Sequence, residues 1–382
     1  MEHLINKKVK QIEISGIRKF FNMVADTKDM ISLTIGQPDF PTPLHVKEAG
    51  KQAIDQNFTT YTHNAGDIRL REAACQFVNE KYRLQYDPSS EIIVTAGASE
   101  AIDITFRTIL TEGDEVILPG PVYPGYEPII HLCGAKPVIA DIRNSQFRMT
   151  AEVIKAHLSP NTRCVVIPYP SNPTGVSLTA EELGEIADLV KGKDIFVLAD
   201  EIYSELIYDR LHHSIAANLR DQTIVINGLS KSHSMTGWRI GFLYAPAYLT
   251  KHILKVHQYN VTCATSIAQM AALQALTAGK DDALPMKVEY AKRREYVYHR
   301  LIQMGLEVVK PDGAFYFFVK LPNDTLSSFD FALELVEKAK VAVVPGSAFS
   351  AYGEGYFRLS FAYSLETLKE GLDRIEDYLQ KA

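Results

Sequence analysis

This sequence has no excess of basic residues: 40 lysines and arginines stand against 46 aspartates and glutamates, a formal net charge of −6. A nucleic-acid partner, which calls for a basic patch or stripe, is not expected. No apolar run approaches the ~20 residues of a membrane span, and the opening residues hold no apolar stretch of signal-peptide length. The expectation is a cytoplasmic protein without a membrane partner. Cysteine is scarce. Cys75, Cys133, Cys164 and Cys263 lie far apart without CxxC spacing, so they are expected to be reduced, buried and mostly structural. The histidines show no HExxH cluster, so no metal site is expected and His212-His213 reads as a loop pair. Internal repeats, low-complexity tracts and long linkers are also missing.

What is present is ordinary for a globular protein: 382 residues, 46% hydrophobic and 23% charged, enough chain for two domains. From about residue 90, short apolar runs alternate with helical patterns. The runs are 91–95, 115–118, 137–140, 164–167, 195–198, 223–226 and 240–244. They are β-branched and apolar on both faces, as strands covered by helices on each side must be. One intervening helix announces itself with Thr179 and Glu182, spaced as a capping box. The alternation predicts an α/β fold with a largely parallel sheet. After about residue 285 the pattern changes: a long charged helix over 286–304, strands over 314–319, 341–344 and 356–361, and a terminal amphipathic helix. The expected division is a large domain over 46–285 and a small α+β domain over 1–45 and 286–382.

In open α/β sheets, ligands sit beyond the carboxyl ends of the strands. The first run delivers Ala96-Gly97-Ala98-Ser99 into a helix start, where free backbone N–H groups suit a phosphate; a plain Ser99 N-cap is the rival reading. Others deliver Tyr123 in a proline-glycine turn, Asn172 between prolines, Asp200 with Tyr203, and then Lys231 with Arg239 eight residues on. Each alone has a bland reading: loop packing, a turn residue, a structural ion pair, a snorkelling lysine. Together they match one ligand with a phosphate, a flat ring, a basic ring nitrogen and an aldehyde, pyridoxal 5′-phosphate.

The chain resembles the class I/II aminotransferases, enzymes of the fold-type-I pyridoxal-phosphate class. The resemblance is carried by Ser32–Asp39 (SLTIGQPD), Tyr61–Gly66 (YTHNAG), Thr95–Ala101 (TAGASEA), Ser171–Gly175 (SNPTG), Ala199–Tyr203 (ADEIY), Gly228–Gly241 (GLSKSHSMTGWRIG) and Phe357–Phe361 (FRLSF). In overall look it is similar to the branch containing aminotransferase A, the N-acetyl-L,L-diaminopimelate aminotransferases of lysine synthesis. The resemblance implies a mostly parallel seven-stranded sheet flanked by helices, with a smaller α+β domain. It also implies roles. Lys231 is the covalent anchor of the aldehyde carbon and then the proton carrier. Asp200 keeps the pyridine nitrogen protonated. Tyr203 and Asn172 bond the ring oxygen, and Tyr123 stacks on the ring. Ala98, Ser99 and Arg239 hold the phosphate, with Tyr61 reaching it from the partner subunit of a homodimer. Arg358 takes the substrate α-carboxylate as a fork, beside the backbone of Gly36.

The sequence departs from the family pattern in two places. Gly228 stands where many relatives have a phosphate-binding hydroxyl, which Ser230 could replace, and His63 stands where many have proline. The implied reaction is ping-pong amino transfer between an L-amino acid and a 2-oxo acid, with glutamate/2-oxoglutarate as one pair and N-acetyl-L,L-diaminopimelate as a candidate for the other. The alternative is a β-lyase or other amino-acid-transforming enzyme of the same fold. A nucleotide-binding loop is disfavoured because Ser230, not glycine, precedes Lys231. A pyridoxal-phosphate regulator would need an added DNA-binding module. Ile17 and Arg18 read as caps of the small domain, with the mouth of the site as the rival position.

Overall fold

Strand formation follows the β-branched runs closely. The computed structural model describes every residue except Asp26, Asp324 and Ala382. Seven strands form the main sheet: β1 (Ile92–Thr95), β2 (Glu115–Gly120), β3 (Lys136–Asp141), β4 (Thr162–Ile167), β5 (Phe196–Asp200), β6 (Thr223–Gly228) and β7 (Gly241–Tyr244), in the order β1-β7-β6-β5-β4-β2-β3. The pairs from β6 through β3 are parallel, whereas β7 runs antiparallel to both neighbours. The fold is therefore α/β with a mostly parallel sheet, as expected.

Successive side chains of a strand point to opposite faces, and both faces are covered here. Val165, Val197 and Val225 pack on one side with the helices Ile68–Tyr82, Ala180–Val190 and Ser266–Thr277. Val166, Leu198 and Ile224 pack on the other, against α1 (Ala98–Ile109) and α2 (Ala247–Val261). Each such fully buried branched side chain contributes about 1.5–3 kcal/mol. The capping box is present: Thr179 N–H donates to Glu182 Oε2 at 2.7 Å and Glu182 N–H to Thr179 Oγ1 at 3.2 Å.

A third core joins the two ends of the chain. Phe20, Val24 and Leu33 pack there with Tyr290, Phe317, Leu359 and Leu372. The long helix spans Ala283–Gln303 and the terminal one Leu365–Lys381. The expected single strand over 341–344 is two pieces. Val341–Ala342 pairs in parallel with Ile31–Ser32, while Val344–Pro345 joins an antiparallel sheet with Tyr356–Ser360 and Tyr316–Lys320. An apolar run carries no mark of where the chain changes partners. The strand expected from Ala314 starts at Tyr316, because Ala314 sits at φ 54°, outside extended geometry.

All four cysteines are free, but only Cys75 and Cys164 are buried; Cys133 and Cys263 are half-buried, which corrects the expectation for those two. His212 and His213 lie in a loop, as expected; His213 is exposed, whereas His212 is buried with its Nε2 3.0 Å from Glu201 Oε2. Among the described residues no helix is long and apolar enough to cross a membrane, and no three metal-ligating side chains cluster.

Gly241 opens β7 against the turn before α1. A Cβ there would lie 2.6 Å from Gly97 C and 2.8 Å from Ala98 N, both backbone atoms that cannot swing aside. Gly241→Ala is expected to lower stability by about 1–3 kcal/mol, seen as a lower urea midpoint at unchanged m-value.

Candidate active site

Strands β1, β5 and β6 end at one edge of the sheet, and β7, running the other way, begins there. Gly228 and Gly241 pair across β6 and β7, so the intervening loop leaves and re-enters the sheet at the same edge. That reversal brings Arg239 back toward Lys231. Arg239 itself takes a left-handed conformation (φ 53°), and its guanidinium donates to Thr236 O at 3.0 Å and Ala96 O at 3.5 Å. Gly97, at φ +83°, lies against it: a Cβ there would meet Arg239 Nη2 at 2.4 Å.

A cavity of about 440 Å³ opens at this edge. Gly36, Ala98, Ser99, Tyr123, Asn172, Asp200, Tyr203, Ser230, Lys231, Arg239 and Arg358 all line it. Tyr61 does not; it is 82% exposed and borders a separate concavity with Phe58 and Met270. Gly228 is also absent from the lining. It is buried in β6, where a Cβ would stand 3.1 Å from Ile240 O and 3.2 Å from Gly241 Cα, so any side chain there crowds backbone. Ser230 lines the cavity instead. Ser99 is not an N-cap: Gly97 holds that position without a side-chain cap, which removes the rival reading. Ile17 lines the cavity, against the expectation that it only caps the small domain.

Lys231 donates from Nζ to Gly36 O at 2.5 Å and lies over the Tyr203 ring at 5.7 Å. Burial, then the Arg358 and Arg239 guanidiniums, lower its amine to about 8, with Asp200 opposing. Asp200 is buried at the end of β5. Burial raises its carboxyl, while the Tyr126 hydroxyl, donating to Oδ2 at 2.6 Å, and the amide of Ile202 lower it. Tyr203 OH and Tyr316 OH share a hydrogen bond at 2.9 Å.

Arg358 is a buried cation of the same cavity. It donates from Nη1 to Asn172 Oδ1 at 2.8 Å and from Nη2 to Thr34 O at 2.6 Å, with its guanidinium 4.3 Å from the Tyr316 ring centre. Burial lowers its pKa. No ion pair to it is found among the described residues, and its buried Nε has no partner.

These donors suit the expected cofactor. Asp200 is a buried carboxylate whose charge a ring cation would offset, and α1 begins at the cavity, with Ala98 and Ser99 in its lining beside Arg239. Sequence reasoning missed Tyr126, Tyr316 and the carbonyl of Thr34. Tyr126 follows Tyr123 by three residues and could have been read with it; a backbone carbonyl has no signature in sequence.

The family model described as Aminotransferase class I and II matches residues 28–375. The chain is 65% identical over 381 residues to a probable N-acetyl-LL-diaminopimelate aminotransferase of Bacillus subtilis, covering 100% of this chain and 97% of the relative. It is 41% identical over 373 residues to an aspartate aminotransferase of Pyrococcus abyssi, covering 96% of each. The fold matches a crystal structure of an aromatic aminotransferase from Pyrococcus horikoshii at a TM-score of 0.90 and 40% identity, covering 96% of this chain and 99% of that one.

An amine attacks an aldehyde only when neutral. With Lys231 lowered to about 8 from the usual 10.5, borohydride trapping of a small aldehyde on Lys231 of the cofactor-free protein should rise with pH around a midpoint near 8. A midpoint near that of surface lysines would contradict this.

Proposed function

This chain belongs to the class I and II aminotransferases, and we propose that it moves an amino group between an L-amino acid and a 2-oxo acid by a ping-pong cycle in which glutamate/2-oxoglutarate is one pair. For the other pair we propose N-acetyl-L,L-diaminopimelate, the substrate named for the 65% identical relative. Like other members of the family it is a pyridoxal 5′-phosphate enzyme. The reading rests on one observation: Lys231 and the buried Arg358 guanidinium, which has no carboxylate partner among the described residues, line the same cavity as Asp200.

Pyridoxal 5′-phosphate, when bound, supplies an electron sink that acidifies the substrate Cα–H. Lys231 would hold the aldehyde carbon, and its free Nζ would be the base that moves the proton between the substrate Cα and the cofactor's C4′ carbon. Asp200 holds a proton on the ring nitrogen, and Tyr126 holds Asp200 in place through the 2.6 Å hydrogen bond. Tyr203 and Asn172 bond the ring oxygen; Asn172 presents its amide NH₂ there because its Oδ1 is engaged by Arg358. Tyr123 covers the ring face. The amides of Ala98 and Ser99, with Arg239 and Ser230, hold the phosphate. Arg358 receives the α-carboxylate as a planar fork, and the Gly36 backbone closes that side. Ile17, Ile35, Gln37, Ile102 and Thr236 also line the cavity.

The proposal includes a large domain over 46–285, a small one over 1–45 and 286–382, a cytoplasmic location, and a homodimer in which Tyr61 crosses to the partner's phosphate site. The exposure of Tyr61 supports the last point.

Purified protein should show a visible absorption band that borohydride removes and that Lys231→Ala lacks. Amino transfer to 2-oxoglutarate should be measured over glutamate, aromatic amino acids, alanine and acylated diaminopimelate. Release of pyruvate or ammonia without transfer would mean a lyase and sink the reading; failure of the last substrate alone would remove only the branch. Arg358→Lys should cut kcat/KM by about 30-fold or more, the ~2 kcal/mol minimum for breaking a buried charge pair.

A further inference from the structure

The helix start that faces the proposed phosphate site carries an acid. Glu100 lies in the first turn of α1 and its Oε2 accepts from Ala96 N–H at 2.5 Å. The carbonyl of the same residue, Ala96, takes the Arg239 contact at 3.5 Å. Glu100 thus fixes one end of the turn that shapes the cradle. A carboxylate there also draws on the positive end of the helix, which a phosphate needs. An uncompensated charge at this point would repel the phosphate it helps to seat.

His257 removes that conflict. It is fully buried in α2, with Nδ1 2.8 Å from Glu100 Oε1 and Nε2 2.9 Å from the carbonyl of Asn64. A carbonyl accepts and never donates, so Nε2 carries a hydrogen. The contact at Nδ1 then needs one more proton, held between the imidazole and the carboxyl. Wherever it rests, the pair has no net charge. The other acid on this face of α1, Asp103, is paired with Arg107 at 2.8 Å.

We infer that His257 is a positioning residue for the cofactor phosphate: by sharing a proton with Glu100 it lets that side chain fix the Ala96 turn without placing a negative charge behind the cradle. This rests on the phosphate placement proposed above. It makes a prediction that a purely structural role does not, because the consequence of losing His257 depends on the charge of residue 100.

The test is binding of inorganic phosphate, pyridoxal 5′-phosphate and phosphate-free pyridoxal to the cofactor-free protein, with thermal melts as the folding control. His257→Gln should weaken both phosphate-bearing probes by about tenfold or more and leave pyridoxal unaffected, and adding Glu100→Gln to it should recover most of that loss. Equal loss for all three probes, or a double variant no better than the single one, would overturn the inference. Proton NMR of the wild-type holoenzyme gives a second arm that needs no folded His257 variant. A far-downfield, exchange-protected proton should be present for the His257–Glu100 contact and vanish in Glu100→Gln; its absence from the wild type overturns the inference. If wild-type protein binds neither phosphate-bearing probe, the phosphate placement itself falls, an outcome distinct from wild-type binding with no charge-dependent rescue.

Discussion

Arg358 is a guanidinium taken out of water with no carboxylate among the described residues to meet it, and much of the pocket is arranged around keeping it there. Two acceptors, Asn172 Oδ1 and the carbonyl of Thr34, satisfy part of it, and the Tyr316 ring lies against its face. Each comes from a different part of the chain: the proline loop after β4, the stretch beyond Ile31–Ser32, and the strand Tyr316–Lys320. Holding the cation therefore requires the N-terminal segment, the main sheet and the C-terminal sheet to meet at one place. Its positive field reaches Lys231 and helps hold that amine near 8. A single desolvated charge thus acts on the state of the lysine and, in the proposed function, would also receive the substrate; both effects weaken if water enters.

The main sheet was legible because fully buried parallel strands are written in β-branched residues, and the seven runs fall within one or two residues of the observed strands. The lysine loop was legible for a related reason: polar residues directly after a buried strand are costly unless used. What escaped was information carried by the backbone or by distant pairs. The carbonyl of Thr34 contributes no side chain to read. Tyr316 sat unnoticed in an aromatic run whose other members are core. Glu100 and His257 are 157 residues apart, and neither has a local pattern that points to the other. The split of 341–344 between two sheets was hidden because period-two runs do not show where pairing partners change.

Buried histidines in this chain have separate uses, and their neighbours tell them apart. His212 meets Glu201 at Nε2 while its Nδ1 lacks a partner among the described residues. His233 bonds Ser232 and the carbonyl of Gly279, tying the turn after Lys231 to a helix end. Of these three, His257 has an acid on one side and a carbonyl on the other, at the helix start that faces the proposed phosphate site. The distinction lies in the acceptors, which composition cannot reveal.

The reversal of β7 has a geometric consequence. Because Gly228 and Gly241 are paired, the loop between them is pinned at both ends to adjacent strands, and the separation of Lys231 from Arg239 is set by a closed span. With the roles proposed for Lys231 and Arg239, the loop would work as a gauge: the span between its two pinned ends would set the distance between the reactive carbon and the anionic tail of the molecule it takes.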